Sequence, residues 1–173
     1  MMKLNSNQIS EQLGSVLNDL RSGDAVTHVI MHEDILLKYG QTLIDMQLEE
    51  ELYRKKAYIR NCLRNAGQFL IDLRAETGRT NASFEAFLLP AHFDLICKVA
   101  KSCTESAERT LKIGFLLGHL CNILIGKYRR LDDATRVETI QNLRNMYETE
   151  WKIQVSCRVL KQKKRKKMNQ KVR

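Results

Sequence analysis

One proline among 173 residues leaves almost nothing in this chain to interrupt a helix. Proline lacks a backbone donor and clashes with the preceding helical turn, so its near absence permits long helices. Eight glycines point the same way. No stretch alternates apolar and polar residues for long enough to suggest a strand. The expected fold class is all-α.

Other absences exclude functions. The five cysteines, Cys62, Cys97, Cys103, Cys121 and Cys157, form no CxxC pair, and the nearest two lie six positions apart. They read as free thiols in a reducing compartment, where cysteine behaves as a small core residue. The opening Met1–Gln12 has no apolar run of the secretory kind, so no secretion is expected, and the sequon Asn81-Ala82-Ser83 is then without consequence. The longest apolar run, Leu111–Ile125, is fifteen residues long and carries Lys112, His119 and Asn122. It is too short and too polar to cross a bilayer, so no membrane partner is expected.

Catalytic motifs fail on required residues. The only glycine-spaced segment, Gly114–His119, lacks the lysine of a phosphate loop and lies inside an apolar helix rather than after a strand. His119 and Cys121 would point about 200° apart on a helix. His28, Met31, His32, Glu33 and Asp34 form the densest cluster of potential ligands, yet a structural or catalytic metal needs a third or fourth partner. No enzyme, cofactor or metal site is expected.

What is present is apolar periodicity. Ile9, Leu13, Val16, Leu17 and Leu20 mark a first helix, capped by Asn5 or Ser6, with Gly23 suited to a left-handed end. Asp24–Met31 reads as a connector into a second helix carrying Ile35, Leu36, Tyr39, Leu43, Ile44 and Met46. Leu52, Ile59, Leu63, Ala66, Leu70 and Leu73 make the clearest stripe, widened by Cys62 and Phe69 and ending near Thr77-Gly78. Arg79–Pro90 is the best loop candidate, with Phe84, Phe87 and Leu88 pinning a turn to the core. Pro90 suits the first turn of the next helix, whose inner face is Phe93, Ile96, Cys97 and Ala100. Leu111–Ile125, apolar on every side, reads as the buried centre, with Gly114 and Gly118 offering a smooth patch to another helix. Asp132 or Asp133 caps a final helix through Val137, Ile140, Leu143, Tyr147, Trp151, Val155 and Val159.

Charge is unevenly placed. Of 29 Lys and Arg, eight fall in residues 161–173, where there is no acid; the rest of the chain holds 21 against 20 Asp and Glu. A nearly neutral body thus carries a strongly basic C-terminal stretch. Lys161, Lys163, Lys164, Arg165, Lys166 and Lys167 fit both an import signal and a nucleic-acid-binding arm. Lys56, Arg60 and Arg64, four apart, form a second basic ridge opposite the apolar stripe, with Arg54, Lys55 and Tyr58 nearby; Glu49, Glu50 and Glu51 lie just before it and would pair with Arg54 at helical spacing, so a salt-bridged solvent face is the favoured reading. With no aromatics interleaved, single-stranded nucleic acid has no evident stacking platform.

The succession "HEDILLKYGQTLID", "YIRNCLRNAGQFLIDLR", "FLLPAHFDLICKVAK", "TLKIGFLLGHLCNIL" and "YETEWKIQVSCRVLKQKK" resembles an uncharacterised all-helical family of animal proteins, whose members look like helical regions of longer, mobile-element-derived proteins. The likeness covers most of residues 33–165 and implies a helical module that once worked beside DNA. Similar proteins have zinc-binding or recombinase-like parts elsewhere; this chain has neither the zinc cysteines nor the Arg, His and Tyr set of a tyrosine recombinase, so no recombination activity carries over. The expectation is one bundle-like domain, residues 5–160, of five to seven helices, followed by a tail, 161–173, helical at its start and then disordered. The expected function is non-enzymatic and nuclear: contact with the phosphate backbone of DNA or RNA, with an import receptor as a further partner. The alternative is a protein-interaction adaptor, nuclear or cytoplasmic, whose basic stretch is only an import signal.

Overall fold

The structure is a computed structural model describing residues 9–20, 22–47, 49–102 and 107–157, with Lys161, Lys164, Arg165 and Met168; the side chains of residues 49, 50, 52 and 107 lie outside that set. Among the described residues there is no strand. The elements are α1 (Glu11–Asn18), α2 (Ala25–His32), α3 (Asp34–Asp45), α4 (Glu49–Thr77), α5 (Phe84–Phe87), a 3-10 turn (Pro90–His92), α6 (Phe93–Ser102), α7 (Ala107–Arg130), α8 (Ala134–Met146) and a π-helical segment (Tyr147–Ser156). Eight α-helices among the described residues exceed the five to seven expected. The surplus comes from α2 and α5, short helices nucleated by side-chain caps: Asp24 accepts from the Thr27 amide at 2.7 Å and Ser83 from the Ala86 amide at 3.3 Å. Each cap satisfies a donor that a first turn leaves unpaired.

The helices group into two compact units, Met1–Gln68 and Phe69–Arg173, divided within α4. In the first, Ser10 caps α1 by accepting from the Leu13 amide at 3.1 Å, one turn later than expected; Asn5 and Ser6 lie outside the described residues. Leu13, Val16, Leu17 and Leu20 are buried with Val29 and Ile30 of α2, Ile35, Leu36, Tyr39, Leu43 and Ile44 of α3, and Ile59, Leu63 and Ala66 of α4. Met46 is exposed, because α3 ends at Asp45 and the chain turns there. Gly40 and Gly67 allow close approach: a Cβ at Gly40 would stand 2.9 Å from Leu13 Cδ1, and one at Gly67 3.2 Å from the Val26 carbonyl oxygen. Gly23 takes the left-handed φ of 84° that its position requires.

In the second unit, Phe69, Leu70 and Leu73 of α4 continue the buried stripe, and α4 ends at Thr77 before Gly78, φ 68°. Phe84, Phe87 and Leu88 are fully buried, so the short α5 is pinned to the core as its apolar residues predict. Pro90 opens the 3-10 turn that runs into α6, whose Phe93, Ile96, Cys97 and Ala100 all point inward. Helix α7 departs from expectation. Ile113, Leu116, Leu117, Leu120, Leu124 and Tyr128 are buried, but Phe115 is 70% exposed and Asn122 is exposed as well. One face of α7 therefore stays in water, and apolar content alone overstated its burial.

Gly114 and Gly118 receive another helix, as their spacing predicts. A Cβ at Gly114 would lie 2.7 Å from Trp151 Nε1, and one at Gly118 3.7 Å from Tyr147 Cε1. Tyr147 and Trp151 open the π-helical segment, their rings tilted with centroids 5.7 Å apart. The spacing explains the widening. Leu143, Tyr147, Trp151 and Val155 are uniform fours, and a step of four overshoots an α-helical turn by about 40°. Bonding from i to i+5 slows the rotation per residue and offsets that drift.

Cys62, Cys97 and Cys121 are buried thiols outside any disulfide, whereas Cys157 is half-exposed. Burial pushes the Cys97 and Cys121 thiols up to about 11, so neither yields thiolate near neutrality. Iodoacetamide is expected to alkylate Cys157 well before Cys62, Cys97 or Cys121 in the folded protein, with the difference abolished in denaturant; peptide mass spectrometry reads it directly.

Candidate nucleic-acid interface

Lys56, Arg60 and Arg64 do form one ridge of α4, but beside the buried stripe rather than opposite it, because each finds a polar partner on or just after α1. Lys56 Nζ donates to Ser15 Oγ at 2.7 Å, Arg60 Nη1 lies 3.9 Å from Asp19 Oδ2, and Arg64 Nη2 donates to Asp24 Oδ2 at 2.8 Å. The partners come from α1, its following turn and the cap of α2; the side chains of Glu49 and Glu50 lie outside the described set. Tyr53, Arg54, Lys55 and Tyr58 are among the exposed positions of α4.

Asp24 joins three roles: cap of α2, partner of Arg64 and anchor of the ridge. The Arg64 guanidinium and then the Thr27 amide hold its carboxyl down at about 2, from an ordinary 3.8. A carboxylate with a depressed folded-state value contributes stability above its unfolded value, and that contribution is lost as pH falls through the folded one. Asp24→Asn is therefore expected to remove part of the acid sensitivity between about pH 4 and pH 2, leaving the slope above pH 5 unchanged in urea titrations at several pH values.

Several cations of the second unit sit in ion pairs. Arg109 meets Asp72 at 2.8 Å, Lys127 meets Glu85 at 2.9 Å, Arg144 meets Glu148 at 2.8 Å, and Lys98 pairs with Glu76. Arg136 stacks over the Tyr128 ring at 4.9 Å while its Nη1 donates to the phenolic oxygen.

The C-terminal stretch differs. Lys161, Lys164 and Arg165 are helical and exposed, and among the described residues no carboxylate pairs with any of them. Lys163, Lys166 and Lys167 lie outside the described residues, so the expected loss of order along the stretch falls there too. Lys161 lines an open groove of about 400 Å³ with Lys101, Ile153, Gln154 and Cys157. Lys101, in the last turn of α6, was not singled out from sequence: sixty positions separate it from Lys161, and only the fold brings them together. The groove sets two lysines beside Ile153, itself 74% exposed.

Among the described residues no group of three or more His, Cys, Asp or Glu side chains is placed to hold a metal ion, and no helix is long and apolar enough to cross a membrane. His119 is half-buried on α7. Against known proteins, no family model, no curated protein and no solved structure matches this chain.

Proposed function

We propose that the chain is a non-enzymatic nuclear module that holds the phosphate backbone of nucleic acid through its basic C-terminal stretch. The observation that carries this reading is the segregation of charge: outside residues 161–173 the 21 cations are nearly equalled in number by 20 acids, while Lys161, Lys164 and Arg165 are exposed and, among the described residues, paired with no carboxylate. Lys163, Lys166 and Lys167 extend the run, and Lys101 lies beside its first residue. The Lys56–Arg60–Arg64 ridge is a secondary contact at most, since phosphates would have to displace Asp19 and Asp24. Contacts of this kind bring affinity without sequence choice. The resemblance to helical regions of mobile-element-derived animal proteins fits a module working beside DNA.

The test is fluorescence anisotropy with labelled duplex DNA and with RNA across a salt series, comparing the whole chain with one lacking residues 161–173. Full engagement of the eight charges gives a log–log salt slope of about −7, and partial engagement less. Deletion is expected to remove binding and the slope together. Undiminished binding after deletion, or none by the whole chain at low salt, ends the proposal.

Exposure of Phe115 and Ile153 favours a second reading, a protein-interaction adaptor whose basic stretch only addresses an import receptor. Under that reading a fluorescent fusion loses nuclear accumulation on deletion, while nucleic acid is not bound with or without the stretch.

A further inference from the structure

His28 and His32 stand one turn apart on α2, both exposed. Spacing of four makes two side chains neighbours on a helix, but it does not by itself align their rings. Here the rings are stacked, with centroids 4.1 Å apart and planes inclined by 19°. The stacking holds the two imidazoles within reach of one ion.

A second contact settles which nitrogen of His32 is free. His32 Nδ1 lies 2.8 Å from the carbonyl oxygen of His28. A carbonyl can only accept, so Nδ1 carries the proton and donates, and in the neutral ring the lone pair is at Nε2. Metal-binding histidines are oriented in this way, with the far ring N–H held by a backbone carbonyl or carboxylate.

The platform is also held in place. Asp24 caps α2 and is tied to Arg64, Val29 and Ile30 are buried, and Gly67 of α4 leaves room for Val26 and Ile30 to press close. Little backbone ordering remains to oppose binding.

We propose that His28 and His32 form a bidentate chelating site for a borderline divalent transition metal of the nickel, copper and zinc class. His32 Nε2 and one ring nitrogen of His28 are the protein ligands, and water fills the remaining positions. Two imidazole nitrogens bound to one ion at about 2.0–2.1 Å lie roughly 3 Å apart. Chelation requires the two exposed rings to turn out of their stacked arrangement until their lone pairs converge on one ion. Imidazole ligands select these ions over magnesium and calcium, which take oxygen. With no further His, Cys, Asp or Glu completing a group of three among the described residues, the site is open and exchangeable, unlike a closed structural zinc centre. This inference is independent of the nucleic-acid reading.

The experiment is calorimetric titration of Ni²⁺ into the whole chain in a non-coordinating buffer, with Mg²⁺ as comparison. One Ni²⁺ per chain is expected, and no Mg²⁺. His28→Ala and His32→Ala should each lower the association constant by ~10-fold or more, since even outer-shell partners of a metal matter on that scale. His119→Ala should leave it unchanged. Both target side chains are exposed, so the variants should keep the wild-type far-ultraviolet circular dichroism. Bound Ni²⁺ should raise the melting temperature of the wild type and not of His32→Ala. Equal Ni²⁺ binding by the wild type and His28→Ala, an equal loss in His119→Ala, or no Ni²⁺ binding by the wild type overturns the proposal.

Discussion

Replacing Phe84 with alanine is expected to lower the free energy of unfolding by about 3–5 kcal/mol, the range for deleting a buried aromatic ring. Phe84 is the first residue of α5 and fully buried, its ring tilted against that of Phe69 with centroids 6.2 Å apart. The cost has two parts: the apolar area returned to water in the unfolded comparison, and the dispersion contacts forfeited by the walls of the void. Collapse of those walls is opposed locally. Phe87 and Leu88 are equally buried, and Arg74 Nε donates to the Ala82 carbonyl at 2.8 Å, tethering the loop. Against a typical total of about 5–15 kcal/mol, such a loss leaves the fold marginal. Urea unfolding measures it as a lowered midpoint at unchanged slope. A loss below about 1 kcal/mol would mean that α5 is not packed as described.

Valine at Gly114 is expected to cost about 2–3 kcal/mol, the upper part of the range for overpacking. Its Cβ would stand 2.7 Å from Trp151 Nε1 and 3.3 Å from Cε2, and the indole is only 4% exposed, a rigid group with little space to retreat. The contrast lies one turn along. At Gly118 a Cβ meets Tyr147 Cε1 at 3.7 Å, an ordinary contact. Gly118→Ala should therefore stabilise the protein by up to about 1 kcal/mol through helix propensity alone. Opposite signs at two glycines four residues apart test the packing of α7 against the π-helical segment. Destabilisation by both, or by neither, contradicts it.

Local pattern made much of this legible beforehand. Ile59, Leu63, Ala66, Leu70 and Leu73 announce α4 because each step returns to one face, and all five are fully buried. Helix α2 escaped notice because Ala25–His32 is short and mostly apolar, with little period to count; the cue was Asp24, placed to cap a helix rather than end a connector. Phe115 misled for a different reason. Composition says that α7 is apolar, but which face is covered depends on where α6, α8 and the π-helical segment lie, and composition does not carry that. The basic ridge follows the same rule: spacing aligned Lys56, Arg60 and Arg64, while Ser15, Asp19 and Asp24 came from about forty residues away. The C-terminal stretch needed no fold to be noticed, being a matter of composition, but its neighbour Lys101 did.

Trp151 is the chain's sole tryptophan, and its indole is seated on Gly114. The molecule therefore carries a built-in optical gauge: ultraviolet emission at the indole wavelength originates from one junction, a few residues upstream of the basic run. Parting of the two helices there would admit water to the chromophore and redden its light, so docking of a polyanion nearby could be followed without attaching a dye.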